Sequence, residues 1–203
     1  RVEVTGGSRS INCAANCTVQ DSYLHGQYTD RRGIDHESAV RMGSNSVIRH
    51  NYITCDATPV PPDSGCSAAL TGYGDFAIVQ KNTIDNNLID GGPYGSMGYC
   101  AYGGSTKGKP YSVGVNNIKF TNNVFMRGLA VTSEGGTNGI LFSSGGALYL
   151  ENMIVRGYSA AGQVDVNFAP ASQKNSRRVR PQNDPRYGAL VGWVIDGSPR
   201  SCF

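Results

Sequence analysis

The sequence predicts an all-β chain wound as a parallel β-helix. Three observations predict it: a composition hostile to helices, a six-residue pattern that returns along the chain, and a polar residue at the same place in most copies. The 203 residues include 27 Gly, 9 Pro and 16 Asn. Gly and Asn destabilise helices, while strong helix formers are scarce, which argues against a bundle or a coiled coil. Apolar residues make up 39% and recur in short runs, which argues against general disorder. No run approaches the roughly 18 apolar residues of a membrane helix, so no span is expected.

The repeated pattern is apolar, any, polar, Asn-like, any, apolar. It reads Val19-Gln-Asp-Ser22-Tyr-Leu24, then Ile48-Arg-His-Asn51-Tyr-Ile53. It returns at Ile84 to Ile89 around Asn87 and at Phe120 to Phe125 around Asn123. A fifth copy, Leu150 to Val155, carries Met153 in the polar place. The starts lie 29, 36, 36 and 30 residues apart. A second phase, Val79 to Ile84 around Asn82, overlaps the third copy and leaves the register there open. Repeats at such periods stack, because one unit cannot bury a core alone. Alternation within the blocks suits strands, whose successive side chains point to opposite faces. A polar residue at a fixed place marks a corner. Asn tolerates left-handed backbone angles, and its amide can bond an equivalent amide one layer away. Asn51, Asn87 and Asn123 are therefore expected to stack as an internal ladder, with Ser22 and Met153 breaking it at either end.

The blocks NCTVQDSYLHG, NSVIRHNYIT, NNLIDGG and VNNIKFTNNVFMRG resemble the coils of right-handed parallel β-helix repeat proteins of the pectate-lyase-like superfamily. The resemblance covers about residues 10–157 and matches no specific enzyme family. It implies a secreted protein with a right-handed column that binds or processes polysaccharide. An enzyme of this kind would be a polysaccharide lyase or a glycoside hydrolase. Five or six coils at about 4.8 Å each would give a column of roughly 25–30 Å. Residues 1–164 are expected to form it. Residues 165–203 form a partly irregular tail, whose segment 188–197 docks back on the column as one or two strands. The chain begins at Arg1, which reads as a processed product or a piece of a longer chain.

Six cysteines occur, at positions 13, 17, 55, 66, 100 and 202. They include no C-x2-C pair of the kind that zinc sites use. An even count without a metal pattern favours disulfides and an oxidising, extracellular setting. A bridge from Cys55 to Cys66 would staple the base of the Pro-rich loop between them; buried free thiols are the other reading. Net charge is +3, and the whole excess lies in the tail. A nucleic-acid binder would carry its basic surplus on the folded body, so none is expected as a partner. The run Ser176 to Arg180 reads as a solvated basic loop.

Three clusters carry candidate chemistry. In the charged segment from Asp30 to Glu37, Asp35, His36 and Glu37, with Arg49 on the following strand, are candidate catalytic groups. Carboxylates in unlike environments split acid and base roles, and His36 could remove a proton. Asp30, Arg32 and His50 are candidate substrate contacts there, Arg being suited to uronate carboxylates; a salt-bridged surface loop is the plainer reading. The glycine-rich segment from Gly91 to Gly104 offers Tyr94, Tyr99 and Tyr102 as a platform for sugar rings. Asp56, Asp63, Asp75, Asp85 and Asp90 could offer oxygens to calcium, although no D-x-D-x-D-G loop is present. No metal ligand is assigned, and turn-forming Asp explains the same residues. The alternative to a glycan-directed protein is a non-catalytic structural or surface-display module that self-associates by end-to-end stacking.

Overall fold

The computed structural model describes residues 1–74, 77–94, 97–102 and 117–126, and beyond them the backbone of a further set of strands. All regular structure among these residues is strand. After β1 (Val2–Val4) the strands recur in threes: β2 (Arg9–Ala15), β3 (Thr18–Gln20) and β4 (Ser22–Leu24), then β5 (His36–Ser44), β6 (Val47–Arg49) and β7 (Tyr52–Thr54). A short strand, β8 (Gly65–Cys66), intervenes. The series resumes with β9 (Ala68–Tyr73), β10 (Thr83–Asp85) and β11 (Leu88–Asp90), then β12 (Met97–Tyr102), β13 (Ile118–Thr121) and β14 (Val124–Met126). It continues through β15 (Ile140–Phe142), β16 (Leu148–Glu151) and β17 (Ile154–Arg156) to β18 (Val164–Asp165), β19 (Ser172–Lys174) and β20 (Arg177–Val179).

Each member of a triple joins a different sheet. The first members align as β18-β15-β12-β9-β5-β2, the second as β19-β16-β13-β10-β6-β3, and the third as β1-β4-β7-β11-β14-β17-β20. These are called the first, second and third sheets below. Pairing between neighbouring layers is parallel throughout. The result is an all-β body of three parallel sheets, an arrangement compatible with a parallel β-helix. Pairing continues past residue 164, and Arg177–Val179, expected in a solvated basic loop, forms β20 beside β17. The segment 188–197 and Met153 lie outside the described residues.

The strand register reproduces the sequence repeat. Val19 pairs with Ile48, Ile48 with Ile84, Ile84 with Phe120, and Phe120 with Leu150. These are the offsets of 29, 36, 36 and 30 residues read from the sequence. A three-residue strand turns one or two side chains inward, so the core consists of columns. Val19, Ile48, Ile84 and Phe120 line the second sheet; Leu24, Ile53 and Ile89 the third; Val40, Leu70 and Tyr99 the first. The Tyr99 and Phe120 rings meet edge to face at 5.0 Å. Each fully buried Ile or Leu contributes about 1.5–3 kcal/mol. That makes the columns the main driving force. An aliphatic column excludes a slip by one residue, which would turn it to solvent, but discriminates poorly against a slip by two, because neighbouring rungs offer similar surfaces.

Register is fixed by buried amides. Asn51 donates its backbone N–H (3.0 Å) and its side-chain Nδ2 (2.9 Å) to Oδ1 of Asn87. Asn87 does the same to Oδ1 of Asn123, both at 2.9 Å. The Nδ2 groups also reach back to the preceding layer: Asn51 to Val19 O at 3.0 Å, Asn87 to Ile48 O at 2.9 Å, Asn123 to Ile84 O at 2.7 Å. Ser22 ends the ladder by giving its backbone N–H to Asn51 Oδ1 at 3.0 Å and turning its hydroxyl to Gln20 O.

The left-handed backbone falls one residue earlier than expected. It belongs to Asp21, His50, Asn86 and Asn122, with φ of 55, 53, 53 and 57°. The corner thus uses two residues, one that bends the chain outside and one that bonds inside. A second corner, between the first and second sheets, repeats the device at Asn16, Asn45, Lys81 and Asn117, with φ of 56, 55, 54 and 52°. There Ser46 N–H donates to Asn82 Oδ1 at 3.0 Å, and Asn82 Nδ2 to Gly43 O at 2.7 Å. The overlapping sequence phase at Val79 to Ile84 is this second corner, not a shifted copy of the first.

Asn87→Ala removes the partners of Asn51 N–H, Asn51 Nδ2 and Ile48 O, all of them buried. At about 1–3 kcal/mol for each stranded group, offset by relaxation, the variant is expected to lose about 3–5 kcal/mol. Urea unfolding measures this, and a loss below about 1 kcal/mol would contradict the ladder's role.

Candidate functional site

The charged segment ahead of β5 is largely self-neutralised. Arg32 bridges Asp30 at 2.5 Å and Asp35 at 3.3 Å. Asp30 Oδ1 also accepts the N–H groups of Arg32 and Gly33, at 3.1 and 3.2 Å. His36 faces Asp63 at 3.8 Å across the loop that the Cys55–Cys66 disulfide closes, with Cα atoms 5.8 Å apart. Cys13 and Cys17 form a second disulfide. The stapled loop returns as β8 beside β5 and brings Gly65 opposite His36. Gly33 has φ of +66° and lies against Pro61, leaving no room for a side chain. Its carbonyl accepts the Asp63 N–H at 2.8 Å.

Glu37 lies beneath this loop at 0% exposure. Its Oε2 accepts the Gly65 N–H at 3.0 Å, while Oε1 meets no hydrogen-bond partner. Burial, then the Asp35 charge, pushes the carboxyl up to about 7, against the opposing pull of its backbone hydrogen bonds and Arg9. Glu37 thus seats the loop and is shut off from the surface. Arg49 does not join this cluster. It lies at the end of β6, beyond the corner at Asn45, and grips Gln20 Oε1 through Nε at 2.9 Å and Nη2 at 2.6 Å.

Of the tyrosines expected to form one platform, Tyr94 and Tyr99 are apart in exposure, one on the surface and one in the core. Tyr94 is 42% exposed, with its hydroxyl 3.1 Å from Thr58 Oγ1. Tyr99 belongs to the core and cannot contact a surface ligand, because the residue that pairs with Val40 through Leu70 points inward. The Tyr102 side chain and Asp75 lie outside the described residues. The other acidic residues act singly. Asp56 Oδ1 accepts the Gly26 N–H at 2.6 Å, Asp85 Oδ1 accepts Asn122 Nδ2 at 2.8 Å, and Asp90 Oδ1 accepts the Gly92 N–H at 2.9 Å. Among the described residues no three or more His, Cys, Asp and Glu side chains gather to hold a metal ion. No helix there is long and apolar enough to cross a membrane.

The surface where side chains converge is the outer corner between the second and third sheets. Its bend residues stack as Asp21, His50, Asn86 and Asn122. Beside them run the outward residues of the third sheet: Tyr23 pairs with Tyr52, Tyr52 with Leu88, and Leu88 with Val124. The Tyr23 ring stacks on His25 at 3.9 Å and on Tyr52 at 4.9 Å. Both tyrosines remain 37% exposed. Two hollows open along this line, and His50 lines both. One, of about 450 Å³, is bounded by Arg1, Glu3, Asp21, Tyr23 and His50; the other, of about 340 Å³, by His50, Tyr52, Asn86, Leu88, Asn122 and Val124.

Several carboxylates border this surface, together with Arg1. His25 Nε2 lies 2.7 Å from Glu3, His50 Nδ1 lies 2.5 Å from Asp21, and the Tyr52 hydroxyl donates to Asp90 at 3.3 Å. The hydrogen bond with His50 holds the Asp21 carboxyl below the usual carboxylate range. Burial first, then the charges of Asp56, Glu3 and Asp90, pushes the Tyr23 hydroxyl upward. Arg1 lines the same hollow, and its charge helps to hold the Asp21 carboxyl low. Of the expected site residues whose side chains are described, His50 alone stands here. The signal for the others was the repeat itself: each block places a bend residue before the stacked amide and an outward residue after it.

Compared with known protein families, with curated proteins and with solved structures, the chain matches none.

The Glu37 carboxyl holds its proton more tightly in the folded chain than at its ordinary value of 4.5. Its contribution is thus complete below about pH 4.5 and is lost as pH rises through about 7, a change on the order of 3 kcal/mol. Glu37→Gln is expected to flatten that part of the stability–pH curve, read by urea unfolding from pH 4.5 to 8. An unchanged slope would show that Glu37 does not titrate there.

Proposed function

We propose that the chain is a secreted, right-handed parallel β-helix protein of the pectate-lyase-like kind, and that it binds a neutral polysaccharide along the outer corner of the second and third sheets. The pair of hollows around His50 carries this reading. Their lining combines apolar contact from Tyr52, Leu88 and Val124 with the hydrogen-bonding side chains of Asn86 and Asn122. That mixture suits a pyranose, whose ring faces are apolar and whose rim is polar.

The line runs across successive layers spaced about 4.8 Å apart, a step comparable with a sugar ring, so a linear glycan would meet similar groups at each step. The carboxylates of Glu3, Asp21, Asp56 and Asp90 outnumber Arg1 along this line, which favours neutral polymers over polyuronates, and they accept hydrogen bonds from hydroxyls. Disulfides at Cys13–Cys17 and Cys55–Cys66 fit an oxidising compartment.

Titration calorimetry against soluble xylan, mannan and β-glucan, beside polygalacturonate and alginate, tests the reading. Binding to at least one neutral polymer is expected, with Tyr52→Ala weakening it about 2–10-fold, the worth of one aromatic contact. Binding to none of the polymers, or to the polyuronates alone, would sink it.

A further inference from the structure

The corner stack contains two residues whose identity the fold does not require. Asn86 and Asn122 show that Asn serves at this bend, as expected for a residue suited to left-handed angles. In the two layers before them the positions are held by Asp21 and His50, whose side chains lie 2.5 Å apart. A carboxylate only accepts, so His50 Nδ1 carries the proton and Nε2 keeps its lone pair when the ring is neutral. Nε2 has no partner among the described residues, and the ring is 61% exposed where the two hollows meet. An imidazole fixed by a carboxylate and open to a groove is the arrangement of a general base.

We propose that Asp21 and His50 form a catalytic dyad that hydrolyses O-acyl esters carried by the bound glycan. This rests on the glycan-binding reading for its substrate. Ser22, the nearest hydroxyl in sequence, is buried and donates to Gln20 O at 2.7 Å, so the nucleophile is water.

His50 Nε2 takes a proton from that water as its oxygen forms a bond to the acyl carbon. The carbonyl electron pair moves onto oxygen. When the tetrahedral intermediate collapses, the bond between the acyl carbon and the sugar oxygen breaks, and Nε2–H protonates the departing sugar oxygen. The products are a carboxylic acid and a free hydroxyl, with no oxidant or further reactant. Asp21 is a positioning residue that holds the ring and stabilises the imidazolium. Asn86 stands one layer on in the same hollow, and its side-chain amide has no partner among the described residues. It supplies the donor for the developing oxyanion.

The test uses acetylated xylan and 4-nitrophenyl acetate, with acetate or nitrophenolate release as readout. His50→Asn and Asp21→Asn place at each bend a residue that the next layers already carry there, so the fold is expected to survive. His50→Asn is expected to lower kcat/KM at least about 100-fold. Asp21→Asn is expected to lower kcat with little change in KM, and Asn86→Gly to lower kcat about 100-fold. Added imidazole should restore part of the His50→Asn rate on the small ester.

Binding to deacetylated xylan, measured separately by calorimetry, distinguishes the two readings. Binding without ester cleavage, or cleavage undiminished in His50→Asn, overturns the dyad and leaves glycan binding standing. Cleavage of 4-nitrophenyl acetate that depends on His50, without glycan binding, upholds the dyad and removes the glycan.

Discussion

A buried asparagine oxygen has two lone pairs, and both are used here by the layer before. Oδ1 of Asn87 takes the backbone N–H and the side-chain amide of Asn51; Oδ1 of Asn123 takes those of Asn87. Unmade hydrogen bonds at such depth are costly, so each layer has one position relative to the next. A slip by one residue would strand these amides and turn every inward aliphatic side chain to solvent. The columns of Ile, Leu and Val supply the driving force, and the amides decide where each layer stops.

The same constraint makes a surface. With the stacked Asn directed inward, the residue before it must bend the chain in the left-handed region and stand outside. The residue after it begins the third sheet and also faces out. Bend residues and outward residues therefore accumulate as two neighbouring lines, Asp21-His50-Asn86-Asn122 and Tyr23-Tyr52-Leu88-Val124. Neither line contributes much to the core, so its chemistry is free to vary. The hollows and the Asp21–His50 contact lie between them.

The periodic part of this was legible in the sequence. The offsets between blocks and the ladder of Asn51, Asn87 and Asn123 follow from residue type and spacing, because stacking forces like residues into like places; the Cys55–Cys66 staple is one of two readings of its loop. Two kinds of information were not legible. One is a boundary within a corner: Asn at both bend and ladder positions hid which of the two takes the left-handed backbone. The other is how loops fold over strands. Nothing in the run from Asp30 to Glu37 tells that Glu37 is sealed beneath β8 while Arg32 stays outside, or that Arg49 turns to Gln20, its neighbour in the second sheet. Tyr99 was misplaced for a related reason, since glycine-rich surroundings resemble a loop although the residue continues the inward column of Val40 and Leu70.

Hydrogen exchange by NMR tests the ladder most directly. In a folded chain built on it, the backbone N–H of Asn51 and Asn87 and the side-chain amides of Asn51, Asn87 and Asn123 should exchange as slowly as the N–H groups of Ile48 and Ile84 in the central strands. Exchange of those side-chain amides at the rate of a solvent-exposed asparagine would contradict the account.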